Sequence, residues 1–203
     1  MKSELVKTDK FSFIVFEDVF DKQELTSIWK EAEFLCEKRK LMAPEGTGSA
    51  FEGEKILKKN SGIWLDATYQ NRNTSNYLNF YRKPFNETNF DSYIEEDYTL
   101  NLFKYTNVDQ TLLSYYENTD YYESHHDMSC YSYVYWLYKE PKNFTGGDFY
   151  FSDVDFKITV TNNTGILFPS WAKHFVDEIT VNNDASEDCS GRFSFTTFFN
   201  FRI

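Results

Sequence analysis

The chain has 203 residues, a length that suits one domain with a sizeable core. Its 21 Phe and 15 Tyr supply large buried areas and favour strands. A formal net charge of −11 weighs against phosphate backbones and anionic membranes as partners, and no stretch approaches the ~18 consecutive apolar residues of a membrane span. The opening Met1-Lys2-Ser3-Glu4-Leu5 has no long apolar run. Cys36, Cys130 and Cys189 are odd in number, widely spaced and without a Cys-x-x-Cys, so neither a disulfide framework nor a zinc knuckle is indicated. The expectation is a soluble, cytoplasmic protein with reduced thiols.

Taken in order, residues Phe11 to Phe16 alternate and read as a first strand. Asp21 with Glu24 three residues later forms a capping box, and Leu25, Ile28, Trp29, Ala32 and Cys36 give the following helix, to about Lys40, one apolar face. Pro44, Gly46, Gly48 and Gly53 break all periodicity between Ala43 and Gly53, which reads as a mobile loop and a candidate active-site flap. Helices are expected over Asn73 to Arg82 and over Phe90 to Phe103, so residues 1–109 read as mainly helical support with solvated charges.

Beyond Asp109 the texture changes to short β-type runs. Gln110–Tyr116, Tyr121–His125, Tyr131–Tyr138, Asp148–Phe151, Phe156–Val160, Gly165–Phe168, Phe175–Val181 and Arg192–Phe201 are candidate strands. Turn signals at Asn118-Thr119-Asp120, Gly146-Gly147 and Asn162-Asn163-Thr164, and a polar insert from Asn182 to Ser190, separate them. This pattern predicts an α+β chain whose residues 110–203 form a sandwich, barrel or jelly roll.

The chain has only three histidines. His125 and Asp127 stand one strand step apart and so share a face, while His126 between them faces away. His174 lies 49 residues on, in another strand-like segment. Two imidazoles and one carboxylate on one side of a divalent ion leave coordination positions open, the facial arrangement of non-heme Fe(II) oxygenases. Downstream, Arg192 and Ser194 share a face of the last strand and offer an anion site.

From Tyr116 to Phe201 the sequence resembles the Fe(II)- and 2-oxoglutarate-dependent oxygenases of the prolyl 4-hydroxylase type. Tyr116 and Tyr122 precede the metal His by nine and three residues, as in that family. Phe144-Thr145-Gly146-Gly147-Asp148-Phe149 is similar to its Gly-Gly turn, Gly165 to Ser170 and then His174-Phe175-Val176 to its approach to the distal ligand, and Gly191-Arg192-Phe193-Ser194 to its Arg-x-Ser pair. The likeness extends upstream through Gly62 to Asp66 and through Arg82-Lys83. It implies a double-stranded β-helix, a distorted jelly roll with helices packed on one side. It also implies iron on His125, Asp127 and His174, and 2-oxoglutarate on Arg192 and Ser194, with Tyr116 or, after a one-residue slip, Tyr115. Trp136 stands where some relatives place a Tyr that binds the same carboxylate.

The implied reaction is hydroxylation of a C–H bond, with O2 and 2-oxoglutarate consumed and succinate and CO2 released; ascorbate is a further candidate cofactor. A prolyl residue in a protein or peptide is the first expected substrate, and the same chemistry on a free amino acid or a nucleobase is the second. A non-catalytic jelly roll that binds a metal or a peptide is the third reading. Asn182 to Ser190 departs from the family by lengthening the connection between the distal ligand and Arg192.

Overall fold

The structure is a computed structural model and describes residues 1–37, 40–48, 51–182 and 189–202. In chain order it contains β1 (Lys2–Lys7), β2 (Ser12–Glu17) and α1 (Lys22–Glu37). Short elements follow: a 3-10 turn (Pro44–Thr47), β3 (Phe51–Glu52), β4 (Lys55–Ile56), β5 (Lys58–Lys59), β6 (Ser61–Trp64), α2 (Leu65–Thr68), a 3-10 turn (Arg72–Thr74), α3 (Asn76–Phe80), α4 (Lys83–Glu87), α5 (Phe90–Glu96) and a 3-10 turn (Tyr98–Tyr105). The second half is β7 (Val108–Tyr116), β8 (Tyr121–His125), β9 (Tyr131–Tyr138), β10 (Phe144–Gly146), β11 (Phe149–Phe151), β12 (Phe156–Ile158), β13 (Thr164–Pro169), β14 (His174–Val176), β15 (Ile179–Val181) and β16 (Arg192–Asn200).

Two antiparallel sheets face each other in a double-stranded β-helix, with the helices along one side. The larger has the order β1-β2-β13-β9-β16-β7-β6 and the smaller β12-β11-β14-β8-β5. A two-residue side-chain period sorts the central strands of the larger sheet. Leu113, Tyr115, Tyr133, Tyr135, Leu137, Phe193 and Phe195 point outward into a cluster with Ile28, Ala32, Leu35 and Tyr77 of the helices. Tyr116, Val134, Trp136 and Phe168 point inward to a second cluster with Phe149 and Val176 of the smaller sheet.

The capping box forms in both directions: Asp21 Oδ1 accepts the Gln23 and Glu24 amides at 2.8 and 3.0 Å, and Glu24 Oε2 accepts the Asp21 amide at 2.8 Å. Those bonds hold the Asp21 carboxyl below its ordinary pKa. Elsewhere the first half differs from expectation. Besides the expected strand it supplies β1, β6 and β5 to the two large sheets. The expected helix from Asn73 breaks at Ser75, whose hydroxyl accepts the Leu78 amide at 3.1 Å and starts α3 afresh. The helix from Phe90 ends at Asp97, whose carboxylate takes both the amide and the hydroxyl of Thr99, at 3.0 and 2.6 Å, and starts the 3-10 turn. Short polar side chains that bond their own backbone compete with helix continuation.

In the second half, Phe175–Val181 is two strands rather than one. β14 belongs to the smaller sheet and β15 pairs with β10, which periodicity missed. Asp177 between them turns its carboxylate to the Asp148 amide at 2.5 Å. The expected insert is described only at Asn182, Cys189 and Ser190; its other residues lie outside the described ones.

Candidate active site

β8 and β14 lie side by side with His125 and His174 in register, and the chain leaving β8 brings Asp127 between them. His125 Nε2 is 3.6 Å from Asp127 Oδ1, and His174 Nε2 is 3.7 Å from Asp127 Oδ2. The donor atoms of the three residues lie within 4.8 Å of one another. Each imidazole is turned the same way by its own backbone: His125 Nδ1 donates to Glu123 O at 2.8 Å and His174 Nδ1 to Ala172 O at 2.9 Å. That tautomer leaves both Nε2 lone pairs directed toward Asp127, as a metal requires. Burial, then the neighbouring His174, pushes the His125 pKa well down, so its ring is neutral.

Aromatic rings fix the imidazole planes. Tyr122 stacks on His125 at 3.5 Å between centroids, and Phe149 stacks on His174 at 5.1 Å with Phe168 edge-on at 5.0 Å. Asp127 is held by a serine relay: Ser132 Oγ donates to Asp127 Oδ2 at 2.5 Å, and Ser132 and Ser129 bond Ser170 at 2.8 and 2.6 Å. The Asp127 amide also donates to Ser170 O at 3.1 Å. His126, just past the end of β8, has its Nδ1 at 2.7 Å from Trp171 O and lies on the wall of the same cavity as the ligands.

The three ligands open into a cavity of about 460 Å³ between the sheets, lined also by Lys58, Tyr116, Trp136, Ser194 and Phe149. Thr47 and Gly48 of the expected flap, and Trp64, lie on its wall. Arg192, fully buried, sits in register with Tyr116 on one neighbouring strand and Tyr138 on the other, and Ser194 with Ser114 and Trp136. The Arg192 guanidinium lies over the Tyr116 ring at 4.6 Å. Tyr115 points the other way: its ring packs on Phe193 at 4.8 Å and its hydroxyl accepts the Gly191 amide at 3.0 Å. Of the two tyrosines left open by the sequence, Tyr116 is therefore the one on the cavity.

Two glycine motifs fit this arrangement. At Gly147 φ is +70° and a Cβ would come 2.5 Å from Ile179 Cγ1, so the turn can approach, and its carbonyl accepts a bond from Arg192 Nη1. At Gly191 a Cβ would come 2.0 Å from Tyr116 O, so only glycine lets β16 start beside β7. Arg192 Nε and Nη2 and Trp136 Nε1 are buried with no partner among the described residues. Burial pulls the Arg192 pKa down, but a guanidinium starts so high that the charge persists. A buried cation with two idle donors is a site waiting for an anion, and a planar fork fits a carboxylate.

Sequence reasoning misses Lys58, one of the first-half charges that it reads as solvated, and the serine relay. Lys58 is 4% exposed and lines the cavity. The available signal was the β5 alternation, which sends Lys58 and Lys59 to opposite faces. The upstream likeness has a structural use away from the cavity: Asp66 Oδ2 accepts the Thr111 amide at 2.7 Å, and Arg82 bonds Asp109.

No protein-family model matches the sequence, and no curated protein is similar to it. Solved structures do share its fold. A Pseudomonas putida prolyl-4-hydroxylase is 14% identical over 96% of this chain and 95% of its own, with a TM-score of 0.61. A prolyl hydroxylase from Trichoplax adhaerens, in complex with a hypoxia inducible factor oxygen degradation domain peptide fragment, is 12% identical over 93% of this chain and 83% of its own, with a TM-score of 0.63. A viral collagen prolyl hydroxylase from Paramecium Bursaria Chlorella virus-1, in its 2OG complex, is 10% identical over 92% and 94%, with a TM-score of 0.53. At these identities the likeness is one of fold.

Proposed function

We propose that this chain is an Fe(II)- and 2-oxoglutarate-dependent dioxygenase that hydroxylates a C–H bond, with a prolyl residue of a protein or peptide as its substrate. The observation that carries the reading is the meeting, between the same two sheets, of a His-Asp-His donor set with a buried Arg192 whose Nε and Nη2 lack partners among the described residues. His125 Nε2, His174 Nε2 and the Asp127 carboxylate would hold the iron. Arg192 would hold the far carboxylate of 2-oxoglutarate, with Ser194 and Tyr116 adding hydrogen bonds and Trp136 Nε1 one further donor. When bound, iron with 2-oxoglutarate and O2 supplies an oxidant for unactivated C–H bonds and yields succinate and CO2.

The chain's own contribution is position and dryness. The Nδ1 bonds and aromatic stacking set the imidazoles, the serine relay sets Asp127, and Tyr122, Trp136, Phe149 and Phe168 exclude water around them. A peptide substrate is supported by the sequence resemblance and by the peptide-bound fold relative. Ascorbate belongs to the same proposal as a reductant that keeps iron in the Fe(II) state. No helix among the described residues is long and apolar enough to cross a membrane, and three widely spaced cysteines without a Cys-x-x-Cys fit the cytoplasmic location that belongs to this reading.

The test is turnover. Protein loaded with Fe(II) should convert 2-oxoglutarate to succinate with proline-containing peptides, which gain one oxygen by mass spectrometry, and His125→Ala and Asp127→Ala should abolish the conversion. Iron-loaded wild type that consumes no 2-oxoglutarate with any peptide, free amino acid or nucleoside would leave the non-catalytic jelly roll standing.

A further inference from the structure

We infer that Lys58 forms an anion subsite in the cavity for the prime substrate, so that the preferred substrate carries a carboxylate close to the C–H bond that reacts. The inference rests on the oxygenase reading above.

Three lysines follow closely in sequence, Lys55 on β4 and Lys58 and Lys59 on β5, the edge strand of the smaller sheet, and two have carboxylate partners. Lys55 Nζ bonds Glu123 at 2.7 Å, and Lys59 pairs with Asp120 at 3.6 Å. Lys58 points between the sheets instead. It is 4% exposed, its ammonium lies 5.4 Å from the centroid of the Tyr122 ring, and it has no ion pair or side-chain hydrogen bond among the described residues. Tyr122 is its register partner on β8 and also the ring stacked on His125, so the ammonium is tied to the wall beside the metal ligands. Burial lowers its pKa to about 8, still charged at neutral pH.

Formal charge shows what this ammonium is for. Among the described residues that line the cavity, Asp127 is the only acidic one. With a divalent ion in place, Asp127 and the two carboxylates of 2-oxoglutarate are balanced by the metal and Arg192. Lys58 is then one positive charge in excess, in a pocket where an unpaired buried ion is unfavourable. Cation–π contact with one ring recovers only a part of that. An anionic group on the prime substrate completes the balance, whereas a neutral substrate leaves Lys58 unpaired.

The carboxylate could belong to an acidic residue or C-terminus of a peptide, or to a free amino acid, and two arms of one experiment separate these. Protein loaded with Fe(II) and 2-oxoglutarate under argon is titrated with N-acetylproline against N-acetylprolinamide, and with proline peptides bearing Asp or Glu against the same peptides bearing Asn or Gln. In at least one arm the carboxylate member should bind about tenfold more tightly, the scale of one charge-assisted bond. Lys58→Met should remove that preference, Lys58→Arg should keep part of it, and neither should move the affinity for Fe(II) or 2-oxoglutarate.

No preference in either arm overturns the inference even if the variants fail to fold. So does a preference that survives Lys58→Met, or a loss of 2-oxoglutarate affinity, which would make Lys58 part of the cosubstrate site. Failure of wild type to bind Fe(II) or 2-oxoglutarate is a separate result, and it removes the oxygenase reading together with the subsite.

Discussion

The two faces of the larger sheet carry the same strands and opposite physics. On the outer face the residues interlock: Tyr77 stacks on Phe195 at 4.1 Å, Trp29 meets Phe193 edge-on at 5.7 Å, and Thr111 bonds Thr197 at 2.9 Å. The buried carboxylate of Asp109 is matched there, since it receives Arg72 and Tyr81 at 2.6 and 2.9 Å as well as Arg82. One residue along each strand, on the inner face, Arg192 is buried with two donors and Trp136 with one that have no partner among the described residues. Lys58 faces both from the other sheet with, among those residues, only the Tyr122 ring beside its ammonium. The outer face leaves single neutral or acidic atoms idle, Glu31 Oε1 and the Tyr133 hydroxyl among the described residues. The inner face leaves a buried cation idle, and that is what a ligand can finish. Such local incompleteness costs stability, and a chain keeps it where it binds something.

Substitutions can break this contrast from either side. The largest effect should come from the outer face: Phe195→Ala removes a fully buried ring and should cost about 3–5 kcal/mol in urea unfolding. The metal affinity of the folded variant should not change. On the inner face, His174→Ala should lower metal affinity by more than about a hundredfold in calorimetry, beyond the loss seen for groups that merely orient ligands, while the metal-free protein loses less stability than Phe195→Ala does. Arg192→Met should weaken 2-oxoglutarate binding by about tenfold to a hundredfold, the worth of a charge-assisted fork. Because it also deletes a buried cation with unused donors, the ligand-free protein should be no less stable than wild type in the same urea titration. The smallest effect belongs to Ser132→Ala, which loosens Asp127 and should cost about tenfold in metal affinity without touching a ligand. A fall in stability for Arg192→Met as large as that for Phe195→Ala would erase the distinction between the faces.

How legible this was depended on the range of the interaction. His125, Asp127 and His174 could be read because the chain has few histidines to choose among and a carboxylate two residues from one of them stays close to it, even though Asp127 lies past the end of β8. The capping box of Asp21 and Glu24 was equally readable, since all its atoms lie within one turn. Strand β1 and the junction between β14 and β15 were not. Lys2-Ser3-Glu4-Leu5-Val6-Lys7 is a strand because β2 offers an edge to pair with, and β15 leaves the smaller sheet because β10 lies beside it. Lys58, Glu31 and the serines look like ordinary polar residues in sequence. Glu31 is buried at the helix side, where its carboxylate accepts the Tyr77 amide at 2.9 Å, and Lys58 is buried at the cavity. Only tertiary packing separates either from a solvated charge. The choice between Tyr115 and Tyr116 likewise needed the register of β7 against β16.

The central claim is that the His-Asp-His group and Arg192 form one site completed in sequence by a metal and a dicarboxylate. Calorimetry under argon tests it most directly, with Fe(II) titrated first and 2-oxoglutarate second, in wild type, His174→Ala and Arg192→Met. The account predicts one equivalent of Fe(II) in wild type and Arg192→Met, tight 2-oxoglutarate binding only in iron-loaded wild type, and neither event in His174→Ala. Binding of 2-oxoglutarate that is as tight without metal, or unchanged in Arg192→Met, would contradict it.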